Sequence, residues 1–377
     1  MTETLVVNPD IEFIRDVLGN GGKDLKKCYQ CATCTSVCSL STEKIPFPRK
    51  QMIEAQWGLK DQVLGDPAIW LCHNCGDCTV RCPRDAKPGA VMGALRAQAI
   101  KNYAFPRFMG ELTSQRRYLP LLLAVPVVLF AVLAFWGPKE PPTAELEFGN
   151  VFGDAALEAL FWMVGLLAFL AYAVGIARMV KALRRTGHDG KILSALIPAT
   201  VEILRHKRFA ECGTEKRRYW GHLLVLSGFL GLFVVGAIVG MGALSGLIHP
   251  PLSMLNPLKL LANTCTVVIS AGLIIMLLER MSSREERGPN TYFDWFFLLT
   301  LAGIVLTGLL SEFLRLGKSA TLMYPVYFVH LTLIFCLFLY GPYSKFSHFI
   351  YRTIAMAATW EKRAQGARVL TTKEAFA

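Results

Sequence analysis

Eight cysteines before residue 83 fall into two runs of one pattern, Cys28-x2-Cys31-x2-Cys34-x3-Cys38 and Cys72-x2-Cys75-x2-Cys78-x3-Cys82. Thiolates at this spacing hold iron-sulfur cubanes. Three cysteines on one tight loop can wrap three corners of a cubane, while the fourth lies too far along the chain and is better placed to reach a second one. The expected ligand sets therefore cross. Cys28, Cys31, Cys34 and Cys82 belong to one [4Fe-4S] cluster, and Cys72, Cys75, Cys78 and Cys38 to the other. Paired C-x2-C units also make zinc ribbons, but a zinc site needs four thiolates, and here eight are supplied as two triplets and two singlets. Pro83 follows the second run and Ser39 the first, a departure that touches no ligand. His73, inside the second run, reads as a residue that tunes or solvates a cluster. Cys212, Cys265 and Cys336 are isolated and read as packing residues.

The histidines form a second candidate constellation. Neutral imidazoles at a membrane edge are frequent metal ligands. His330 and His348 are eighteen residues apart, or ~27 Å if one helix runs through Pro342, close to the hydrocarbon thickness. One would then lie near each face. His222 follows Arg217-Arg218, and His206 sits sixteen residues earlier. A b-type haem between helices takes two imidazoles, with its propionates on Arg or Lys. Four ligands, His206, His222, His330 and His348, would make two haems stacked across a bilayer. His249 is the alternative to His206, because depth alone would pair His222 with His348 and His249 with His330. His188, between Gly187 and Gly190, reads as solvated.

These residues need elements to hold them, and the composition says which. The 377 residues are 53% hydrophobic and 18% charged, more apolar than a soluble globular chain. The excess is concentrated after Tyr118. Long apolar runs at Leu119 to Trp136, Ala155 to Met179, Tyr219 to Ile248, Leu258 to Leu278, Trp295 to Leu314 and Tyr324 to Tyr340 predict six membrane spans. Pro120 and Pro126 weaken the first without excluding it. Residues 1–118 then form a cytoplasmic iron-sulfur domain with two [4Fe-4S] clusters, 119–344 a transmembrane haem b domain, and 345–377 a cytoplasmic tail. Apolar periodicity at Met52, Ile53, Trp57, Leu59, Val63 and Leu64, and again over Val91 to Tyr103, predicts helices around the clusters. The fold class is mainly α: a helical two-cluster ferredoxin-like domain followed by a six-span bundle.

Charge orients the bundle. The net charge is +12. The connections 181–218 and 280–291 and the tail from Lys345 hold nineteen Lys and Arg, whereas the alternate connections hold four. The positive-inside rule puts the N-terminal domain and the C-terminus in the cytoplasm, on an inner membrane crossed several times. The opening Met1-Thr2-Glu3-Thr4 runs into charged residues, so no cleavable signal peptide is expected. A reducing cytoplasm argues against disulfides among the eight cysteines. No basic stripe with interleaved aromatics marks the first domain, so no nucleic-acid partner is expected.

The duplicated cysteine motif over residues 24–104 resembles the C subunit of heterodisulfide reductase. The second half resembles the E subunit of heterodisulfide reductase and the nitrate reductase gamma subunit, on HKRFAEC at His206 to Cys212, on His222, and on the run from His330 to PYSKFSH ending at His348. The gamma-subunit pattern has five spans, so the first span here is an addition. The fusion of the two parts resembles the membrane-bound C subunits of quinone-interacting membrane-bound oxidoreductase complexes of sulfate-reducing bacteria. That resemblance implies menaquinone as substrate and flavin-containing partners related to the A subunit of heterodisulfide reductase, which in turn serve adenylylsulfate reductase. No G-x-G-x-x-G follows a strand, so flavin is expected on the partners.

The function expected is that of an electron-transfer subunit, incomplete as an enzyme by itself, joining menaquinol, two haems and two clusters to soluble partners. A related heterodisulfide reductase-like or sulfite-reduction complex, and a purely structural anchor, are the alternatives. No catalytic residue is assigned. His249, Glu312 and Lys318 near the outer face, or Glu202, Arg205 and Lys207 near the inner one, have the chemistry to accept a quinol proton but read first as interface anchors or loop charges.

Overall fold

A computed structural model describes residues 8–42, 45–137, 148–188, 190–206, 216–282 and 291–360. Cys212 and Lys207 lie outside the described residues. Among these the chain is helical without a named strand, and its one isolated bridge joins Thr42 to Ile45. The first region consists of α1 (Ile11–Val17), α2 (Thr33–Ser36), α3 (Arg49–Gln56), α4 (Lys60–Leu64), α5 (Ala68–Leu71), α6 (Asp77–Val80), α7 (Pro88–Tyr103) and α8 (Arg107–Ser114). Asp10 caps α1 by accepting from the Phe13 amide at 2.8 Å. Pro88 begins α7, where a missing N–H costs nothing. The periodicity over residues 52–64 is realised as two helices, α3 and α4, parted by Gly58, whose φ of +68° requires a residue without a Cβ.

Among the described residues six helices are long and apolar enough to cross a membrane. They are α9 (Leu119–Trp136), α10 (Asp154–Arg185), α12 (Lys216–Leu244), α13 (Pro257–Ser282), α14 (Tyr292–Leu316) and α15 (Ala320–Tyr340), with the shorter α11 (Ile192–Leu204) between the second and third. Helix α9 runs through Pro126. Helices α12 and α13 cross closely because Gly228 offers no side chain: a Cβ there would stand 2.7 Å from the Cys265 carbonyl and the Ile269 amide. Small residues serve this purpose where lipid removes the hydrophobic drive for helix association. Near α9, Phe130 packs edge-on against Phe152 and Phe335.

One expectation about the last span is corrected. Helix α15 stops at Tyr340, Gly341–Tyr343 and Lys345–Ser347 form single 3-10 turns, Ser344 between them is extended, and α16 (His348–Ala358) begins a separate helix. Pro342 cannot donate the amide hydrogen bond that a continuing α-helix needs. His330 and His348 are therefore not on one helix.

The described part of the C-terminal segment also differs from a free tail. Tyr351, Ile354, Ala355 and Ala358 form a helical stripe buried in the core of the first region, together with Met179 and Leu183 from the C-terminal end of α10. The Tyr351 ring lies 5.2 Å from Trp70 and 5.3 Å from Tyr103. Thr186 Oγ1 donates to the Gly65 carbonyl at 2.6 Å, and Arg178 donates to the Tyr103 carbonyl at 3.3 Å and to that of Ala104. A single core thus joins the cysteine region to the ends of the spans, and whatever the cysteines hold is fixed relative to the bundle.

Candidate iron-sulfur and haem centres

The two cysteine loops repeat one backbone. Gln30 and Ala32 in the first, and Asn74 and Gly76 in the second, occupy equivalent positions, and all four have φ between +53° and +93°. These left-handed turns curl each loop before its short helix, α2 or α6. The curl aims polar hydrogens at sulfur, with the Asn74 amide 3.3 Å from Cys72 Sγ and Gln30 Nε2 3.5 Å from Cys28 Sγ, and beyond α6 the Ala86 amide lies 3.3 Å from Cys82 Sγ. Such donors stabilise thiolate charge.

Cys28, Cys31, Cys34 and Cys82 line one small cavity. Burial pushes the Cys34 thiol up to about 11, and its neighbours Cys28, Cys82 and Cys31 push the same way. Burial likewise raises Cys38 to about 11, and there the neighbouring thiols are Cys72 and Cys75. Cys78 is raised by burial and by Cys72, Cys75 and Cys38. Crowded thiols in apolar surroundings resist ionising together unless a cation shares their charge. None of the eight is in a disulfide. Among the described residues no three His, Cys, Asp or Glu side chains converge as one ion would require. The donor set, four thiols around one cavity with Cys82 joining three of the first loop, and a second group of neighbouring thiols in which Cys38 joins Cys72, Cys75 and Cys78, fits larger groups that take sulfur at separate corners.

The structure gathers three of the candidate haem histidines at the end of the bundle that adjoins the cysteine region. His206 Nε2 is 2.9 Å from His222 Nδ1, and the His222 and His348 rings have centroids 6.3 Å apart at 80°. His206 and His222 are not sixteen residues along one helix: His206 ends the turn after α11 with φ of +50°, and His222 lies in the first turns of α12. The hydrogen bonds order the imidazoles. His206 Nδ1 meets the Leu204 carbonyl at 3.2 Å, leaving its Nε2 to accept from His222 Nδ1. His348 Nδ1 meets the Lys345 carbonyl at 2.6 Å. In both His222 and His348 the lone pair then lies on Nε2, the arrangement found where a second partner orients a metal-binding imidazole. Burial pushes His348 down to about 4 and holds His206 below its ordinary value, so both stay neutral.

A cavity of about 260 Å³ beside His222 and His348 is lined by the apolar Met276, Phe297 and Leu298 and by the cations Arg96, Arg280 and Lys345. Asp294 ties this rim together, pairing with Arg280 at 2.8 Å and with Lys345. Two imidazoles, an apolar wall and a cationic rim are the donor set that a haem with its propionates would use. His330 is elsewhere: its Nδ1 is 3.0 Å from Thr307 Oγ1, and its ring stacks near Tyr327. His249 is exposed. His188 is not simply solvated, since its Nδ1 lies 3.1 Å from Thr186 Oγ1. Of the candidate proton acceptors, Glu312 is bound to Lys259 at 2.9 Å and to Arg315 at 3.3 Å, Glu202 is half-buried, and Arg205 and Lys318 are exposed.

The sequence reading missed two arginines. Arg352 Nη1 donates to the carbonyls of Trp70 and Cys72 at 3.2 and 3.3 Å, and its Nη2 lies 3.0 Å from His73 Nδ1. Arg218 Nη1 donates to the Asn74 carbonyl at 2.5 Å. The signal was present: Arg218 precedes His222 by four residues and Arg352 follows His348 by four, which puts each pair on one helix face.

Residues 24–86 match the family model of the 4Fe-4S dicluster domain. The N-terminal region is such a domain. It is similar to the C subunit of the H(2):CoB-CoM heterodisulfide,ferredoxin reductase of Methanothermobacter thermautotrophicus, 41% identical over 95 residues, which cover 25% of this chain and 51% of that protein. A protein of Archaeoglobus profundus, itself described as like the C subunit of heterodisulfide reductase, is 39% identical over 94 residues, 25% of this chain and 48% of its own length. The chain thus spans about half the length of these relatives. Beyond the dicluster domain, the citrate utilization protein B of Escherichia coli is 26% identical over 357 residues, 88% of this chain and 89% of that protein. That likeness runs on through the membrane helices. No solved structure matches the chain.

Proposed function

We propose that this chain is the membrane electron-transfer component of a respiratory oxidoreductase complex, working between the menaquinone pool and soluble flavin and iron-sulfur partner subunits. The single observation that carries the reading is the direct join between the two parts: α16, which begins at His348, is built into the dicluster core, and Arg218, one turn before His222, bonds to the second cysteine loop. Cys28, Cys31, Cys34 and Cys82 hold one [4Fe-4S] cluster, and Cys72, Cys75, Cys78 and Cys38 the other. His222 and His348 would hold haem b, with His206 orienting His222 and with Arg96, Arg280 and Lys345 available to its propionates. When bound, these groups supply one-electron redox chemistry. The chain's own residues set their spacing, keep the ligands neutral or ionised as each needs, and exclude water. His330, in the middle of its span, is the ligand a second haem would use. The excess of basic residues on alternate connections supports a cytoplasmic N-terminus and C-terminus.

Metal and haem content with a reduced-minus-oxidised spectrum tests the reading. About eight cluster irons and at least one protohaem per chain are expected. Haem-free protein purified from haem-sufficient cells overturns the membrane half of the assignment. Haem that stays oxidised when quinol analogues are added to the assembled complex overturns the quinone link.

The partner has two readings. The resemblance of the fused architecture to quinone-interacting complexes of sulfate reducers favours flavin subunits that serve adenylylsulfate reductase. The extended similarity to citrate utilization protein B favours the same membrane module serving a different soluble oxidoreductase. Identification of the subunits that co-purify with the chain decides between them.

A further inference from the structure

Both cysteine loops are equivalent in backbone, yet among the described residues the side chains of the histidine-bearing helices bond to the second loop and not to the first. We infer that Arg218 and Arg352 are positioning residues that lock the second loop to the His222 and His348 helices. They make the cluster site of Cys72, Cys75, Cys78 and Cys38 the one adjoining the haem site, and leave the site of Cys28, Cys31, Cys34 and Cys82 facing the soluble partner. This rests on the cofactor assignment proposed above.

The geometry has three parts. First, Arg352 reaches the Trp70 and Cys72 carbonyls and His73, while Arg218 reaches the Asn74 carbonyl, so three successive residues of the second loop are held from two different helices. Second, each guanidinium lies one turn from a haem-site imidazole, and the five-donor fork makes a rigid brace where a lysine would give a single flexible contact. Third, the first loop presents the opposite aspect. Cys31 is exposed, Tyr29 is 69% exposed, and the Arg84 guanidinium stacks 4.2 Å from the Tyr29 ring. The loop's side-chain bonds run to its own domain, with Arg49 Nε donating to Gln30 Oε1 at 3.3 Å and Gln30 Nε2 meeting Gln56 Oε1 at 3.5 Å. An edge with an exposed ligand and an aromatic-arginine pair suits contact with another protein.

Position also fixes an electrostatic consequence. A reduced cluster carries one more negative charge than an oxidised one, so fixed guanidinium charges beside the second loop favour its reduction and act less on the first loop, which stands farther away. Arg352→Gln keeps hydrogen-bond donors but removes the charge, and Arg352→Lys keeps the charge but loses the fork.

The experiment is a redox titration of the purified complex, following each cluster and the haem by EPR and absorbance, in wild type, Arg352→Gln, Arg218→Gln and Arg352→Lys. In either Gln variant, one cluster and the haem should become harder to reduce, by about tenfold in the equilibrium, equivalent to ~59 mV for a one-electron couple. The other cluster should stay where it was, and Arg352→Lys should recover most of the shift. Equal shifts of both clusters, or none in variants that retain full iron content, overturn the inference. A one-cluster shift in protein that holds no haem would sustain the arginine assignment while removing the haem reading, so the two fail separately.

Discussion

Glu54 is the place where the dicluster domain carries an electrostatic cost that can be measured. The side chain is 7% exposed on α3, its Oε2 has no hydrogen-bond partner among the described residues, and the cation beside it is Lys50 at 3.6 Å. Lys50 is shared with Asp66 at 3.2 Å. Burial pushes the Glu54 carboxyl up from 4.5 to about 7, with Lys50 opposing the push and Asp66 adding to it. An acid raised on folding is stabilised while protonated, so its contribution is complete below pH 4.5 and is lost as pH rises towards 7. The loss is about 3 kcal/mol at pH 8, taking ~1.36 kcal/mol per pKa unit, and under ~1 kcal/mol at pH 5. Glu54→Gln removes the titration but keeps size and polarity, and Lys50 keeps Asp66. The variant should therefore resist urea better than wild type at pH 8, by about 1–3 M in midpoint for an m-value of 1–3 kcal/mol per M, and match it closely at pH 5. The assay follows loss of the clusters' visible absorbance in urea, anaerobically, at both pH values. If the midpoints differ equally at both, or if wild type is the more resistant at pH 8, the buried carboxyl is not the source of the cost.

The remaining predictions concern the sites and the bundle. Cys82→Ser should remove the cluster that also uses Cys28, Cys31 and Cys34, leaving about four irons with the EPR signature of the other; loss of the other cluster alone refutes the crossed ligand sets. His348→Ala should abolish haem binding with both clusters retained, whereas His206→Ala should leave haem bound roughly 10–100-fold more weakly, as for loss of an orienting partner. Equal and complete haem loss in both would make His206 a ligand, as the sequence spacing first suggested. Gly228→Val puts a branched side chain where even a Cβ stands 2.7 Å from two backbone atoms of α13. It should lower the thermal midpoint of the detergent-solubilised protein, by a cost of about 1–3 kcal/mol or more, with Gly228→Ala intermediate; an unchanged midpoint would mean that α12 and α13 do not cross there.

How much of this was legible beforehand differs from residue to residue. The cysteine pattern was legible because a cubane's corners are served by a short loop, so ligand spacing is a local property of the chain. The six spans were legible because a bilayer demands about twenty apolar residues in a row, again a local requirement. Pro342 could be read as a threat to the last helix, yet only the structure shows that two 3-10 turns and an extended Ser344 redirect the chain there. That bend carries His348 to His222 and separates it from His330. His206 illustrates the limit of spacing arithmetic, since a count along the chain measures distance only while the chain is one helix.

The sequence by itself determined the chemistry available: eight thiolates in two runs, imidazoles in and beside the spans, basic residues on alternate connections. It determined these because ligand type, hydrophobic length and charge bias act within a few residues of each other. Tertiary structure alone decided which groups meet. It gave His206 to His222 as a hydrogen-bond partner and drew α16 out of an apparent tail into the dicluster core. It also brought Arg218 and Arg352, 134 positions apart in the chain, onto carbonyls of one loop, those of Asn74 and Cys72. Those outcomes depend on burying an apolar stripe and satisfying polar groups across elements distant in sequence, and local patterns carry no record of which distant surface will be there to receive them.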